Sequence, residues 1–201
     1  MSLRCIVVAF VSLFLCGCLS VPPHGSAIED LGRYRIVDVA VEGAEIIRSW
    51  PTEEERFVRS GVVDAAMADS MRVEPATNFP QLAAHFKQVL TARMKDEFVS
   101  STGSVFAGKQ PAKAVVRLKT FDIPSAARRV FVDSTAKIQA EIDVLDKTTG
   151  RLILPYNGRL ETKPLIGGVA TGIALAFERS DPGNSMITDY LSAYRNWLLR
   201  N

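Results

Sequence analysis

The chain has 201 residues, of which 47% are apolar and 23% are charged, a composition typical of a folded globular protein. Its formal net charge of +2 argues against a general nucleic-acid-binding protein, which would carry a strong basic excess. All three cysteines, Cys5, Cys16 and Cys18, lie near the N-terminus. The rest of the chain therefore offers neither a disulfide framework nor cysteine ligands for zinc.

The N-terminus carries a short leader. Arg4 gives it a positive start, and residues 5–15 form an uncharged apolar run typical of a signal peptide. This run is too short for a membrane-spanning helix, which needs about 20 residues. Leu15-Cys16-Gly17-Cys18 resembles the lipobox of bacterial lipoproteins, which implies cleavage after Gly17 and acylation of Cys18. The alternative is an uncleaved or ordinarily cleaved leader with incidental cysteines.

The residues after Cys18 are expected to tether a domain to the membrane. Several acyl chains on one residue give stable anchoring, because each buried methylene contributes about 0.8 kcal/mol. By the sorting pattern of lipoproteins, Leu19 in place of an aspartate implies the outer membrane. Residues 20–26 are rich in proline and glycine, which should keep the anchor from packing on the domain. We therefore predict a signal peptide over residues 1–17, a lipidated tether over 18–32 and a single domain over 33–201.

Alternation of apolar and polar residues predicts strands in the mature chain. In the first strand, Val37, Val39 and Val41 fall on one face. In the third, Ile138 and Ile142 fall on one face and charged residues on the other. Such alternation indicates an antiparallel sheet with one covered face and one wet face. The strands are expected at residues 33–42, 114–121, 134–145 and 151–154, with 158–162 as a candidate continuation.

Two amphipathic helices are expected to cover this sheet. The first follows Asn78, a predicted N-cap residue, and carries an apolar residue at every fourth position. The second follows Asp181 and ends near Leu198. Between the first strand and the first helix, a short helix is expected over residues 62–71. The stripe of the first helix consists of Leu82, Phe86, Leu90, Met94 and Phe98, and that of the second of Ile187, Tyr190, Leu191, Tyr194, Trp197 and Leu198.

These elements predict an α+β fold, a two-layer sandwich in which two amphipathic helices cover one face of a mainly antiparallel sheet of about four strands. Asp143-Val144-Leu145-Asp146, followed by Thr149-Gly150, is similar to uncharacterised proteobacterial envelope lipoproteins. The order of the elements also resembles that in lipopolysaccharide-assembly lipoproteins and in the auxiliary lipoproteins of lipid-transporting ABC systems. The resemblance implies an envelope role, and no binding residue is carried over from it.

The sequence offers no catalytic signature. His24 lies in the expected tether, where nothing would orient it, and His85 is most simply a boundary residue of the long helix. A general base needs a positioned partner, and none can be identified. Glu53-Glu54-Glu55 is typical of a solvated helix start. We therefore expect no catalytic residue, no cofactor and no metal.

One candidate contact for an anionic headgroup or glycan is Arg128-Arg129, because these residues lie in an expected loop, where function concentrates. Lys113, Arg117, Lys119 and Lys137 on the wet face could extend it into a basic patch. The simpler interpretation of those strand residues is charge pairing across strands, with Glu141 and Asp143 as partners.

Residues 165–177 are uncharged and contain Gly168, Ala170 and Gly172. The simpler interpretation is a glycine-rich loop and a buried helical turn within the domain. The functional interpretation is an apolar surface that docks on a protein partner or dips into the membrane interface, with these three residues as the contact.

The sequence favours a non-enzymatic outer-membrane lipoprotein that faces the periplasm and is anchored through Cys18. It would act as an accessory or assembly subunit of a cell-envelope complex, with a protein partner and without nucleic acid. The alternative is a periplasmic lipid- or glycan-binding module, and an enzyme is the least favoured. A closed apolar pocket would favour the lipid binder, a flat apolar patch the accessory subunit, and a cleft with convergent titratable groups the enzyme.

Overall fold

A computed structural model describes residues 21–124, 135–161 and 181–200 of the chain. These residues form an open four-stranded sheet in the spatial order β1 (Tyr34–Glu42), β2 (Gln110–Asp122), β3 (Lys137–Asp146) and β4 (Leu152–Glu161). β1 pairs parallel with β2, whereas β2–β3 and β3–β4 are antiparallel. The sheet is therefore mixed, and the predicted α+β class with a mainly antiparallel sheet is confirmed.

The helices of the described residues are α1 (Ile28–Leu31), α2 (Pro51–Arg59), α3 (Ala65–Val73), α4 (Pro80–Thr102) and α5 (Pro182–Leu198). Because β1 and β2 run parallel, the chain between them must cross over, and α2 to α4 lie in that crossover. α4 contacts β1, and α5 contacts α4, β3 and β4. In the described residues, no helix is long and apolar enough to cross a bilayer.

The core lies between the sheet and these two long helices. The five predicted stripe residues of α4 are fully buried, and those of α5 are also buried. From the sheet, β3 contributes Ile138, Ala140, Ile142 and Val144 to the same core. The predicted faces of both helices and of β3 are therefore confirmed.

Two details of β1 and α4 differ from the prediction. Val37 is 43% exposed, because the pairing of β1 with β2 shifts between Ile36 and Asp38, and the irregularity turns Val37 off the buried face. The predicted N-cap of α4 is also wrong. Phe79 precedes the helix without a side-chain cap, while the Asn78 side chain donates a hydrogen bond to Glu74 Oε2 at 3.0 Å.

The turn after β3 and the strand that follows are close to the prediction. Asp146 Oδ1 accepts hydrogen bonds from the backbone N–H groups of Thr148 and Thr149, both at 2.9 Å, and Gly150 has φ of +72°. β4 then runs without interruption through Pro155, although the sequence indicated two pieces. It is an edge strand of this sheet, where proline leaves no ladder hydrogen bond unmade.

Candidate functional site

The residues singled out from the sequence as contacts lie outside the described residues. They are Cys18, Arg128, Arg129, Gly168, Ala170 and Gly172. Their proposed roles therefore stay predictions. The wet face of the sheet is described, and there the predicted cross-strand charge pairing is confirmed.

Each basic side chain of that face has an acidic neighbour. Arg117 Nη1 lies 2.5 Å from Asp143 Oδ2, and Lys119 Nζ lies 3.1 Å from Glu141 Oε2. The bond to Asp143 and the nearby carboxylates raise the pKa of Arg117 against a smaller effect of burial. Lys113 and Lys137 similarly face Asp38 and Glu161. The extended basic patch is therefore neutralised where the structure describes it.

Residues 21–26, called here the N-terminal segment, are fastened to the end of α5. Trp197 Nε1 donates a hydrogen bond to the carbonyl oxygen of Pro22 at 2.7 Å, and His24 Nε2 donates to that of Leu198 at 2.9 Å. The His24 ring packs edge-on against Trp197 with 4.8 Å between ring centroids, and His24 is only 9% exposed. The prediction that nothing in this tether would orient His24 is therefore wrong, because Leu198 and Trp197 hold it, and the indole N–H finds its partner in the same segment.

A groove of about 840 Å³ lies between the N-terminal segment and strands β3 and β4. Its lining combines apolar and polar side chains, including Val21, Ile153, Tyr156, Asn157, Arg159 and Trp197. This open, mixed lining differs from the closed apolar pocket expected of an acyl-chain carrier. The groove offers a contact surface at the edge of the sheet beside the N-terminal segment.

The titratable groups of this groove are held by neighbours. Glu141 and Asp143 form the ion pairs given above, and Arg159 pairs with Glu161. Burial raises the pKa of Tyr156, against a smaller opposing effect of the Arg200 guanidinium.

A second groove, of about 610 Å³, lies at the end of the sheet where β2 stops and β3 begins. Its lining includes Asp122 and four cationic side chains, those of Arg48, Lys119, Lys137 and Arg159. The chain that joins β2 to β3, which contains Arg128 and Arg129, leaves the described residues at this end. Three of these cations are already paired with carboxylates, Lys119 with Glu141 and both Lys137 and Arg159 with Glu161.

A charge cluster links α2, α4 and the start of α5. Glu53 is 2% exposed, its Oε2 lies 3.3 Å from His85 Nε2, and it also pairs with Arg56. Arg56 in turn lies 2.9 Å from Asp181 Oδ2. Burial lowers the pKa of Arg56, but Glu53 and Asp181 raise it by more. Glu53 is thus not a solvated helix start, and His85 is a partner of a buried carboxylate.

Asp181 joins this cluster to the core. Its Oδ1 accepts hydrogen bonds from Asn184 N at 3.2 Å, from Thr52 Oγ1 at 3.2 Å and from Trp50 Nε1 at 3.4 Å. The predicted start of the last helix after Asp181 is therefore confirmed, and Asp181 both caps that helix and orients a buried tryptophan. Glu53–His85 joins α2 to α4, and the contacts of Arg56, Thr52 and Trp50 with Asp181 join α2 to the start of α5, so the cluster braces the three helices.

The comparisons with known proteins give only distant structural likeness. Neither a protein-family model nor a curated protein matches the chain. A candidate lipoprotein from Caulobacter crescentus CB15 has 12% identity and a TM-score of 0.34, over 54% of this chain and 79% of its own. A DUF330-family protein from Xanthomonas campestris has 16% identity and a TM-score of 0.31, over 53% of this chain and 62% of its own.

A third similar structure is a PelC dodecamer from Paraburkholderia phytofirmans. It has 10% identity and a TM-score of 0.36, over 88% of this chain and 96% of its own. One of the three is thus a candidate lipoprotein, and none of them is named for lipopolysaccharide assembly. At these scores the likeness transfers no residue role and no function, which must be argued from the residues of this chain.

Proposed function

We propose that the chain is a non-enzymatic lipoprotein of the outer membrane that serves as an accessory or assembly subunit of a cell-envelope complex. The observation that carries the proposal is the docking of the N-terminal segment on α5, just after the lipobox. A lipid on Cys18 would then hold the domain close to the membrane in a restricted orientation. Such positioning suits a subunit that must meet a partner in the same membrane.

The anchor is the first part of the proposal to test. Cys18→Ser should remove all fatty-acid labelling and leave an unprocessed precursor, because the acyl acceptor is a thiol. Metabolic fatty-acid labelling with intact-mass measurement checks this. Cys16→Ser is the matched control and should be labelled like the natural chain, since serine is usual at that lipobox position. Undiminished labelling of the Cys18→Ser protein would contradict the lipobox interpretation.

The partner surface is proposed at Gly168, Ala170 and Gly172. If a partner covers it, Ala170→Glu should weaken co-purification with the envelope complex and leave the melting temperature of the isolated domain nearly unchanged. If residue 170 is instead in the core, the substitution buries an unpaired charge and the domain should unfold.

Measuring melting and co-purification on the same variant separates these outcomes. Ala84→Glu makes the same change at an exposed position of α4 and should alter neither quantity. A large loss of melting temperature for Ala170→Glu alone would remove residues 165–177 from the proposed partner surface.

A binding module for an anionic glycan or lipid headgroup is the second candidate function. It is favoured by the position of Arg128 and Arg129 in the chain, next to the groove that Arg48 lines and in which Lys119, Lys137 and Arg159 are already paired with carboxylates. Saturable binding of an anionic glycan by the unlipidated domain, abolished by Arg128→Gln with Arg129→Gln, would favour this function over the accessory subunit.

A further inference from the structure

The distance between the anchor and the docked segment is short. Pro22 lies four residue steps after Cys18, with three residues between them, and an extended chain covers at most about 3.5 Å per step, or roughly 14 Å here. Pro22 is held by Trp197, one residue before the last helical residue of α5. If Cys18 carries lipid at the bilayer surface, the C-terminal end of α5 must therefore lie near that surface.

The side chains at this end have the chemistry of a lipid–water interface. Leu199 directly follows α5 and is 41% exposed, although it is a large apolar residue. Arg200, the next residue, is also exposed. An apolar side chain can enter the acyl boundary, while an adjacent arginine stays with anionic phosphates.

We propose that the N-terminal segment and the end of α5, with Leu199 and Arg200, form a surface that rests on the phospholipid headgroups of the anchoring membrane. This inference rests on the proposed lipidation of Cys18. α5 has 17 residues and is about 25 Å long at 1.5 Å per residue, so its two ends differ widely in distance from the anchor. Its N-terminal end, with the Glu53 cluster, then points away from the lipid.

The protein allows this orientation to be measured with single labels. Cys5 and Cys16 belong to the predicted leader, and the thiol of Cys18 is consumed by acylation, so an introduced cysteine is the only free thiol. Leu199→Cys places a fluorophore at the proposed lipid-facing end. Ser185→Cys, at an exposed position in the first turns of the same helix, is the matched control.

Each labelled, lipidated protein is reconstituted into phosphatidylglycerol-containing vesicles that carry a quencher on the lipid headgroup. The label at residue 199 should be quenched several-fold more strongly than the label at residue 185. Equal quenching at the two positions, or stronger quenching at residue 185, would overturn the proposed orientation.

If the difference in quenching is absent, two further measurements show whether the anchor or the orientation is the part of the proposal that fails. Fatty-acid labelling and vesicle flotation of the same samples test the anchor itself, and unacylated protein would refute the proposed function as well. Acylated, floating protein without the difference in quenching would refute the orientation alone. His24→Ala combined with Trp197→Phe, which together remove both hydrogen bonds that fasten the N-terminal segment, should reduce the difference while flotation persists. An undiminished difference would show that docking does not set the orientation.

Discussion

Phe86→Ala should lower the free energy of unfolding of the soluble domain by about 3–5 kcal/mol, the usual cost of deleting a buried phenylalanine ring. Phe86 is fully buried in the middle of the α4 stripe, and its ring lies 6.0 Å from that of Trp50. The cavity would open between α4 and the surrounding core. Urea unfolding of the unlipidated domain measures the loss.

Lys87→Ala is the control for this prediction, because Lys87 is exposed and adjacent on the same helix. It should change the free energy of unfolding by no more than about 0.5 kcal/mol, as is usual for surface substitutions. Similar destabilisation by both variants would contradict the assignment of the buried face of α4.

Gly183→Val should cost about 3 kcal/mol, at the upper end of the range for overpacking. A Cβ at Gly183 would lie 2.1 Å from Nε1 and 2.4 Å from Cε2 of Trp50. Trp50 cannot give way easily, since it is fully buried and its ring also packs against Phe86 and Phe121. Either the indole or the first turn of α5 must move. Either movement breaks the hydrogen bond that Trp50 Nε1 donates to Asp181 Oδ1.

Helix propensity alone would make Gly183→Val stabilising, because glycine is less favourable than valine within a helix. A destabilised protein in thermal and urea unfolding therefore reports the steric clash. Thr188→Val, at an exposed position of the same helix, should stay within about 0.5 kcal/mol. A Gly183→Val domain as stable as the natural one would show that Trp50 is free to shift.

Local periodicity explains which parts of the fold the sequence predicts well. The alternation in β3 and the four-residue spacing in α4 arise because each element buries only one face, and both faces are found as predicted. The alternation predicts the wrong face for Val37, because an irregular pairing with the neighbouring strand reverses the side that the residue faces. The sequence of β1 alone does not predict this irregularity.

The contacts that build the candidate sites are non-local, and the sequence carries little signal for them. His85 finds Glu53 at a separation of 32 positions, Trp50 finds Asp181 at 131, and His24 finds Leu198 at 174. A glutamate in the first turn of a helix is typical of a solvated position, and its burial depends on α4 passing beside it. Proline and glycine after a lipobox likewise indicate a free tether, although a tryptophan far along the chain binds it.

The bond between His24 and Leu198 also has a consequence for the order of folding. In the unfolded chain, closing a flexible loop of n = 174 residues costs a free energy of (3/2)RT ln n, or about 4–5 kcal/mol plus a constant, because the chain loses conformational entropy. The β2–β4 meander pairs neighbours in the chain and is expected to form earlier. Docking of the N-terminal segment must wait until α5 has formed and packed, because both of its hydrogen bonds are made to the end of that helix. Residues 21–26 thus stay undocked until the rest of the core is in place.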